Sequence, residues 1–406
     1  MVMIEQRSEK MVVLVCNVGS TSLKFKLFEM PSETLLAESK IERVGSNEDA
    51  IFYYCNIKKD ITIKRCKESI TDYQKGIDVF LRSLLDHDTG VVGKIEDINA
   101  IGFKTVLAKG YHGIHEINDN VLKAMEDYLF VAPAHNGPYL KAIRVFKKML
   151  PDTPMVAVFE TAFHTTIPLE KRMYSIPYEW YECYGIQRMG YHGASQEYIA
   201  QRIVSLEGST GRLISCHLGG SSSVCAISDG VSVDSSFGFS LQTGVPHANR
   251  AGDVDPYIIP YLLNEGLSMD EIIAGLSNRG GLFGISGTSG DMRIIENLAA
   301  EGNRRARLAI DVFVYGVIRH IGSCFAGLGG LDCLVFTGGI GENSVRIRKM
   351  VCNRLSHMGI YLDDKSNETG QGERLISIPE SPVKIYVIPT NEEIGVARKT
   401  FDIIRN

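Results

Sequence analysis

A two-part α/β fold, each half a mixed sheet flanked by helices, is what this chain predicts. Three glycine-rich turns in a fixed order predict it. The first lies in the run Val12 to Phe28, an apolar strand, a small-residue turn and a second strand that alternates. Leu23, Phe25 and Leu27 point one way and Lys24 and Lys26 the other, which is the period of a half-buried strand. Asn17, Gly19, Ser20, Thr21 and Ser22 fill the turn with small donors. Successive N–H groups and hydroxyls in such a turn form a concave anion site, and Lys24 adds a point charge. An ordinary polar hairpin reads the same way in isolation.

The second turn repeats this grammar between Arg212 and Ile227. Leu213 to His217 is apolar, Gly219 to Ser223 is the turn, Val224 to Ile227 returns, and Asp229-Gly230 marks the next hairpin. A repeat this widely spaced implies a duplicated domain rather than a solenoid. Two related halves facing one cleft, each with a phosphate turn, suit a polyphosphate. The third turn follows the short strand Leu334 to Thr337. It runs from Gly338 to Ser344 as a loop, with a helix from Arg346 onward. Glycine lets backbone approach a flat ligand, and the loop precedes a helix N-terminus. Its spacing is neither the dinucleotide fingerprint nor a P-loop.

The remaining elements follow from spacing. The lysine-rich stretch Lys58 to Lys67 reads as a solvated β-surface. Gly76 to Leu85 and Val121 to Leu129 have helical periodicity. His135-Asn136-Gly137-Pro138 reads as a breaker before a helix through Met149. Met155 to Phe159 is a buried strand with Glu160 at its end. Asp255 to Gly266 and Arg304 to Leu328 read as helices and Ile385 to Ile388 as a strand. Asn391 caps a last helix whose first turn carries Glu392 and Glu393.

Length and composition bound the function. A chain of 406 residues with 44% hydrophobic and 22% charged residues is expected to be a two-domain globular protein. A net charge of −5 gives no reason to expect nucleic acid or membrane as a partner. No apolar run approaches transmembrane length. Residues 1–10 read as a polar N-terminal extension, not a signal peptide. The nine cysteines are scattered, odd in number and lack a C-x-x-C pair, which favours a cytoplasmic location. Cys16, Cys216 and Cys225 read as core residues.

Eight motifs in order give the chain a resemblance. They are NVGSTSLKF at Asn17, VFETAFHTTIP at Val158, YGIQRMGYHG at Tyr184, CHLGGSSSV at Cys216, NRAGDVDP at Asn249, GISGTSGDMR at Gly284, FTGGIGENS at Phe336 and PTNEE at Pro389. The chain resembles the acetate kinase family, within the superfamily of sugar kinases, Hsp70 and actin. The resemblance implies duplicated actin-like ATPase (RNase H-like) domains with the active site in the interdomain cleft. It implies domain I at residues 11–161 plus 391–406, because the C-terminal helix returns to it, and domain II at 162–390.

Phosphoryl transfer needs positive charge around the equatorial oxygens, a metal on the nucleotide and in-line placement of the acceptor. A carboxylate is already nucleophilic, so arginine, a metal-binding acid and a positioning histidine are the expected set. The resemblance implies an ATP-dependent carboxylate kinase using ATP/ADP and Mg²⁺ (or Mn²⁺), with a small carboxylic acid as substrate, in a homodimer. It implies Arg250, Glu160 and His192 as catalytic. Lys104, Val106, Ala134, Tyr191 and Leu241 are implied to bind the acid, and Asn17 and Glu392 the metal. Phosphate and nucleotide fall to Ser20, Ser22, Lys24, His217, Gly219, Gly220, Ser221, Asp291, Met292, Arg293, Gly339, Ile340, Gly341, Glu342 and Asn343. The bland readings are a surface pair of Arg250 with Asp253 or Asp255, a structural role for His135, His164 and His217, and simple helix capping by Glu392 or Glu393.

Several positions depart from the family pattern. Lys104 stands where a substrate arginine is usual, Glu160 where an aspartate is usual, and Gly220 where an asparagine is usual. Lysine is not equivalent to arginine at a bidentate site, and a methylene shift alters placement. Ala134, Tyr191 and Leu241 replace leucine, phenylalanine and proline, while Val106 is retained. Ala134 would enlarge the acid pocket and Tyr191 would add a hydroxyl, so a larger or more polar acid, such as propionate, is expected beside acetate. A nucleotide-binding paralogue with little kinase activity and a regulatory role is the alternative. An Hsp70-like ATPase shares only the fold logic.

Overall fold

The computed structural model describes residues 10–19, 21–46, 48–68 and 70–405, without the side chains of residues 66–68 and 134. The N-terminal extension at residues 1–9 and the expected phosphate contact at Ser20 lie outside the described residues. The chain separates into two compact units, Met1–Ala162 with Asn391–Asn406, and Phe163–Thr390.

Unit 1 is built on eight strands, β1 (Met11–Gly19), β2 (Ser22–Met30), β3 (Thr34–Glu42), β4 (Ala50–Asn56), β5 (Ile61–Glu68), β6 (Ala100–Thr105), β7 (Ile114–Glu116) and β8 (Met155–Phe159). Their order in the sheet is β5-β4-β3-β2-β1-β6-β8-β7. The first five form an antiparallel meander, and β1, β6 and β8 run parallel. The alternation in β2 is realised: Leu23, Phe25 and Leu27 are buried and Lys24 is exposed. Helices α1 (Tyr73–Leu85), α2 (Asp119–Asp127) and α3 (Pro133–Met149) follow the strands they connect. Phe25 stacks on Phe80 of α1 at 4.2 Å, and Phe146 of α3 meets Phe25 and Phe103 edge-on. Gly102 has a different neighbour. A Cβ there would sit 2.2 Å from Thr400 Oγ1 and 3.0 Å from Val396, both on the last helix, α15 (Glu392–Arg405). Glycine at this point of β6 lets the C-terminal helix lie close on the sheet.

Three expectations in unit 1 are corrected. The first glycine turn is tighter than expected, because Asn17 is a strand residue opposite Lys24 and Gly19 pairs directly with Ser22. His135 to Pro138 does not break a helix but lies inside α3. Pro133 opens that helix at a position where no intrahelical N–H bond is lost, and Pro138 lies inside its second turn, where it forgoes one. Asn136 is also held by its side chain, which donates to the carbonyls of Leu107 and Met125. Asn391 precedes α15, but its Oδ1 is buried and accepts no hydrogen bond among the described residues, so the expected side-chain cap is absent.

Unit 2 carries β9 (Arg212–His217), β10 (Ser223–Ser228), β11 (Val231–Ser235), β12 (Cys333–Thr337), β13 (Arg374–Leu375) and β14 (Lys384–Val387), ordered β11-β10-β9-β12-β14-β13. An antiparallel stretch again leads into parallel strands, so β11-β10-β9-β12-β14 matches β3-β2-β1-β6-β8 of unit 1 in order and sense. Asp229 and Gly230 close the β10–β11 hairpin with φ of 49° and 84°, the type I′ pattern that matches strand twist. Alternate residues separate two cores. Ile214, Cys216, Val224, Leu334 and Phe336 pack with helix residues Phe313, Val317, Ile347 and Val351 on one face. Leu213, Cys225, Cys333 and Val335 pack with Ile199 and Ile203 on the other.

The helices of unit 2 are α4 (Leu169–Arg172), α5 (Tyr178–Tyr184), α6 (Gly193–Glu207), α7 (Ile258–Asn264), α8 (Met269–Ser277), α9 (Gly281–Ser286), α10 (Met292–Ala300), α11 (Arg304–Leu328), α12 (Gly338–Asn343), α13 (Val345–Arg354) and α14 (Asp364–Glu368). The third glycine turn is therefore the short helix α12 rather than a loop. Gly338 makes the turn at φ 75°, the Gly338 N–H donates to Glu342 Oε1, and Ile340 and Gly341 donate to the Leu218 carbonyl. α7 is shorter than the expected 255–266 because Asp255 and Pro256 form the turn that precedes it. α11 has the length and apolar composition to cross a membrane, although no uninterrupted apolar run marked it in the sequence. Its residues Ala309, Ile310, Phe313 and Val317 are buried in the core of unit 2, as in the central helix of a globular unit.

Candidate active site

Unit 2 contains a cavity of about 670 Å³ whose walls come from separated parts of the sequence. Gly219 and Gly220 come from the β9–β10 turn. Asp291, Met292 and Arg293 come from the start of α10, and Gly339, Ile340 and Asn343 from α12. The structure thus brings together eight of the residues expected to hold a nucleotide. Gly341 and Glu342 are not in the wall. Gly341 is buried, and Glu342 accepts from Gly338 N–H and Thr390 N–H. Ser221 also lies outside it. Four wall residues were not anticipated: Ala248, Gly290, Glu296 and Ser344. Gly290 adjoins a residue already singled out, and Glu296 lies one helical turn beyond Arg293 on α10, a signal that periodicity offered. Glu296 accepts from the Ser344 hydroxyl at 2.5 Å.

The loop that carries Arg250 is held against the β9–β10 turn through His247 and Ala248. Ser222 N–H donates to His247 Nδ1 at 2.9 Å, and Ala248 N–H donates to the Gly220 carbonyl at 3.0 Å. From the other side, Leu282 and Phe283 N–H donate to the His247 and Ala248 carbonyls. Gly281 makes this approach possible. It has φ of 58°, and a Cβ there would stand 2.1 Å from the His247 oxygen. His247 is fully buried, and burial followed by the Arg250 charge pushes its pKa down to about 3, so it is neutral. Its role as the brace of this loop was not legible beforehand. Arg250 itself donates to the Leu241 carbonyl at 2.6 Å and has no carboxylate within ion-pair distance among the described residues. Burial lowers its pKa to about 10. The expected bland pairing with Asp253 does not occur, because Asp253 accepts from Gly244 N–H and faces His320. A largely desolvated guanidinium without a carboxylate is a site that favours an anion.

The histidines divide by environment. His164 is buried, and burial drops its pKa to about 4. Its Nε2 donates to the Tyr191 carbonyl at 2.9 Å, so its Nδ1 accepts from the Ser232 hydroxyl at 2.8 Å. The Gly190 backbone lies against this ring, where a Cβ would be 2.5 Å from Cγ, and φ there is 68°. The turn so formed places His192 at φ 59° ahead of α6, with Nδ1 2.8 Å from Ser223 Oγ. The His217 ring lies 4.1 Å from that of His192, and its Nδ1 is 2.8 Å from Ser195 Oγ. Tyr191 is fully buried and its hydroxyl donates to the Phe239 carbonyl at 2.7 Å. The extra hydroxyl expected in the acid pocket is therefore committed to the backbone. Leu241 is buried beside Arg250, to which it offers its carbonyl.

Unit 1 places Lys104, Glu160 and Glu392 together. They come from β6, the residue after β8, and the start of α15. Lys104 Nζ lies 2.7 Å from Glu160 Oε1 and is also bonded to Glu392 Oε2. The three side chains are 13%, 7% and 12% exposed. Burial alone would lower the Lys104 pKa, but the Glu160 and then the Glu392 charges outweigh it and hold it well above the ordinary value. Tyr139, not anticipated, donates to Asn17 Oδ1 at 3.2 Å and accepts from Val18 N–H, and burial raises its pKa. Val106 is buried, Lys24 is exposed on β2 and Ser22 is partly buried beside Gly19. Ala134 lies in α3, and its side chain is outside the described residues.

Among the described residues no three His, Cys, Asp or Glu side chains cluster to bind a metal unaided. The donor set of unit 1 nevertheless fits Mg²⁺. That ion takes one or two carboxylates and completes its shell with water and phosphate oxygens. Glu160 and Glu392 already face one shared cation, and Asn17 Oδ1 and Asn391 Oδ1 are hard oxygen donors in the same unit.

Comparison with known proteins agrees with this architecture. The family model described as "Acetokinase family" matches residues 12–398. An acetate kinase from Geobacillus sp. (strain WCH70) is 42% identical over 407 residues, covering 97% of this chain and 98% of that protein. Among solved structures, Porphyromonas gingivalis acetate kinase aligns with a TM-score of 0.86 at 34% identity, over 97% of this chain and 100% of the other. A propionate kinase from Francisella tularensis subsp. tularensis SCHU S4 gives 0.88 at 33%, over 97% and 99%. With an actin-like arrangement in each unit and relatives matched along nearly their whole length, the chain belongs to the acetokinase family, phosphotransferases with a carboxyl group as acceptor.

Proposed function

We propose that this protein catalyses acid + ATP ⇌ acyl phosphate + ADP, with acetate as the default acid and propionate next. The observation that carries the reading is the cavity of about 670 Å³ walled by three glycine-bearing segments, in the same unit as a largely desolvated Arg250 that faces no carboxylate among the described residues. Its volume is in the range of nucleotide sites. In this reading the β9–β10 turn and α12 hold the nucleotide, and the Asp291–Arg293 pair and Glu296 offer polar partners to base and ribose. A carboxylate oxygen of the acid attacks the γ-phosphorus, and the bond from phosphorus to the ADP oxygen breaks. Arg250 stabilises the charge that gathers on the equatorial oxygens, and His192 hydrogen-bonds the transferring group. When bound, Mg²⁺ (or Mn²⁺) neutralises phosphate charge, and Glu392, Glu160 and Asn17 are the residues that would hold it. Lys104 supplies positive charge toward the acid.

A roomier acid pocket belongs to this proposal. It rests on alanine rather than leucine at position 134, since the Tyr191 hydroxyl is occupied. A hydroxamate assay with ATP, Mg²⁺ and a series of short acids tests it. Propionate or butyrate is expected to match or exceed acetate in kcat/KM, and acetate exceeding every larger acid would defeat it.

The protein is proposed to be a cytoplasmic homodimer. The scattered cysteines, seven of them buried as thiols, suit a reducing compartment. Unit 2 exposes an apolar face at α7 and α8, where Tyr257 and Tyr261 are 79% and 63% exposed beside Leu263, Met269 and Ile273. Sedimentation equilibrium is expected to show a dimer that the double variant Tyr257→Asp/Tyr261→Asp dissociates. A monomeric parent, or an unaffected dimer in the variant, contradicts this assignment.

A further inference from the structure

Two carboxylates facing one ammonium make a charge arrangement that a divalent cation would satisfy equally. Lys104 Nζ sits between Glu160 and Glu392, and all three side chains are largely withdrawn from water. The group carries one net negative charge. A divalent ion held by the same carboxylates would reverse that sign and stand within a few ångströms of the ammonium, where like charges in a poorly solvated site repel strongly. The lysine stem is long and flexible, so the ammonium can leave by rotating its own bonds.

We propose that Lys104 is a tethered occupant of the divalent-cation position: metal entry displaces its ammonium from Glu160 and Glu392, and the released charge becomes available to the carboxylate of the acid. This rests on the reading of Glu392 as a metal ligand. The neutral Tyr139 hydroxyl near Lys104 is engaged with Asn17 and Val18, so it does not replace the lost partners. Linkage makes the coupling reciprocal. An acid that pairs with the displaced ammonium tightens metal binding by the same factor by which metal tightens acid binding. Lysine at this position, rather than arginine, matters here. A compact ammonium fits a metal position, whereas a guanidinium fork does not.

The test uses Mn²⁺ as the probe, on the full chain without nucleotide, with the free-ion electron paramagnetic resonance signal as readout. Lys104→Met is expected to bind Mn²⁺ at least about tenfold more tightly than the parent. Acetate is expected to tighten Mn²⁺ binding severalfold in the parent and to have no effect in Lys104→Met. Glu392→Gln is expected to lose the site. A second measurement needs no variant. Reductive methylation read by mass spectrometry is expected to spare Lys104 in the metal-free parent and to label it once Mn²⁺ is added. Unchanged or weaker Mn²⁺ binding in Lys104→Met, or labelling indifferent to Mn²⁺, would overturn the proposal. If Glu392→Gln binds Mn²⁺ as the parent does, the metal assignment falls with it. Loss in Glu392→Gln with no gain in Lys104→Met removes the displacement alone. None of these outcomes depends on turnover, so the kinase reading is judged separately.

Discussion

Arg250→Ala is expected to lower kcat by roughly 10²-fold or more, with nucleotide affinity nearly unchanged. The size of the effect follows from where the guanidinium sits. It is largely desolvated, donates to the Leu241 carbonyl and has no carboxylate within ion-pair distance among the described residues. Its charge is therefore not cancelled before substrate arrives. The loop that carries it is fixed from both sides, by His247 and Ala248 on the β9–β10 turn and by the first N–H groups of α9. Such preorganisation is what lets a single donor contribute several kcal/mol, on the order of 3, to a transition state. Arg250→Lys should recover little, because an ammonium cannot reproduce the fork. Hydroxamate turnover together with equilibrium nucleotide binding separates the two effects. Near-normal turnover in Arg250→Ala would remove this residue from the mechanism.

Acid is expected to destabilise the protein well before the carboxylates titrate. His164 and His247 are buried and neutral, with pKa values pushed down to about 4 and about 3. In the unfolded chain both return to about 6.5. Between these limits the unfolded state binds more protons, so unfolding free energy rises with pH and falls as the solution is acidified. The stability contributed by keeping them neutral is complete above pH of about 6.5 and is lost progressively down to about 4 and below. At pH 5 each histidine accounts for about 2 kcal/mol of loss relative to neutral pH. Urea unfolding at pH 7 and pH 5, at fixed protein concentration, measures the sum. His164→Gln should remove about half of the pH dependence, whatever it does to stability at pH 7. A flat profile between these pH values would contradict neutral burial. The same protonation bears on function, because a charged His247 would give up the Ser222 N–H that holds the cavity turn.

The glycine turns were legible because each combines a local strand pattern with small residues that few other contexts need. Two of them repeat, which is why the matching strand order of the two units could be anticipated from Val12 to Phe28 and Arg212 to Ile227. What was misread has local causes. Proline at 138 is a poor helix residue in general, yet α3 carries it inside its second turn, with Asn136 beside it tied by its side chain to the Leu107 and Met125 carbonyls. The Gly338 to Ser344 segment has weak helix propensity, but bonds from Ile340 and Gly341 to the Leu218 carbonyl wind it into α12. Asn391 has the right side chain for a cap and does not use it.

The site was legible unevenly. Residues inside dense motifs, such as Gly219, Asp291 and Gly339, could be nominated together. Lys104, Glu160 and Glu392 could each be nominated by resemblance, but their mutual ion pairing could not, because it depends on which strands and helix become neighbours. His247 and Tyr139 left almost no signal, and Glu296 only its helical spacing from Arg293. Each acts through one or two contacts made by folding, and a lone histidine, glutamate or tyrosine in a sequence is ordinary.

In the proposed reaction a carboxylate oxygen, rather than water, takes the γ-phosphoryl group. Incubation of the protein with ATP, Mg²⁺ and ¹⁸O-labelled acetate, followed by ³¹P NMR, tests it directly. An acyl phosphate resonance carrying the isotope shift of a bridging ¹⁸O is expected, formed in step with ADP. ADP appearing with unlabelled inorganic phosphate, at a rate indifferent to the acid, would contradict it.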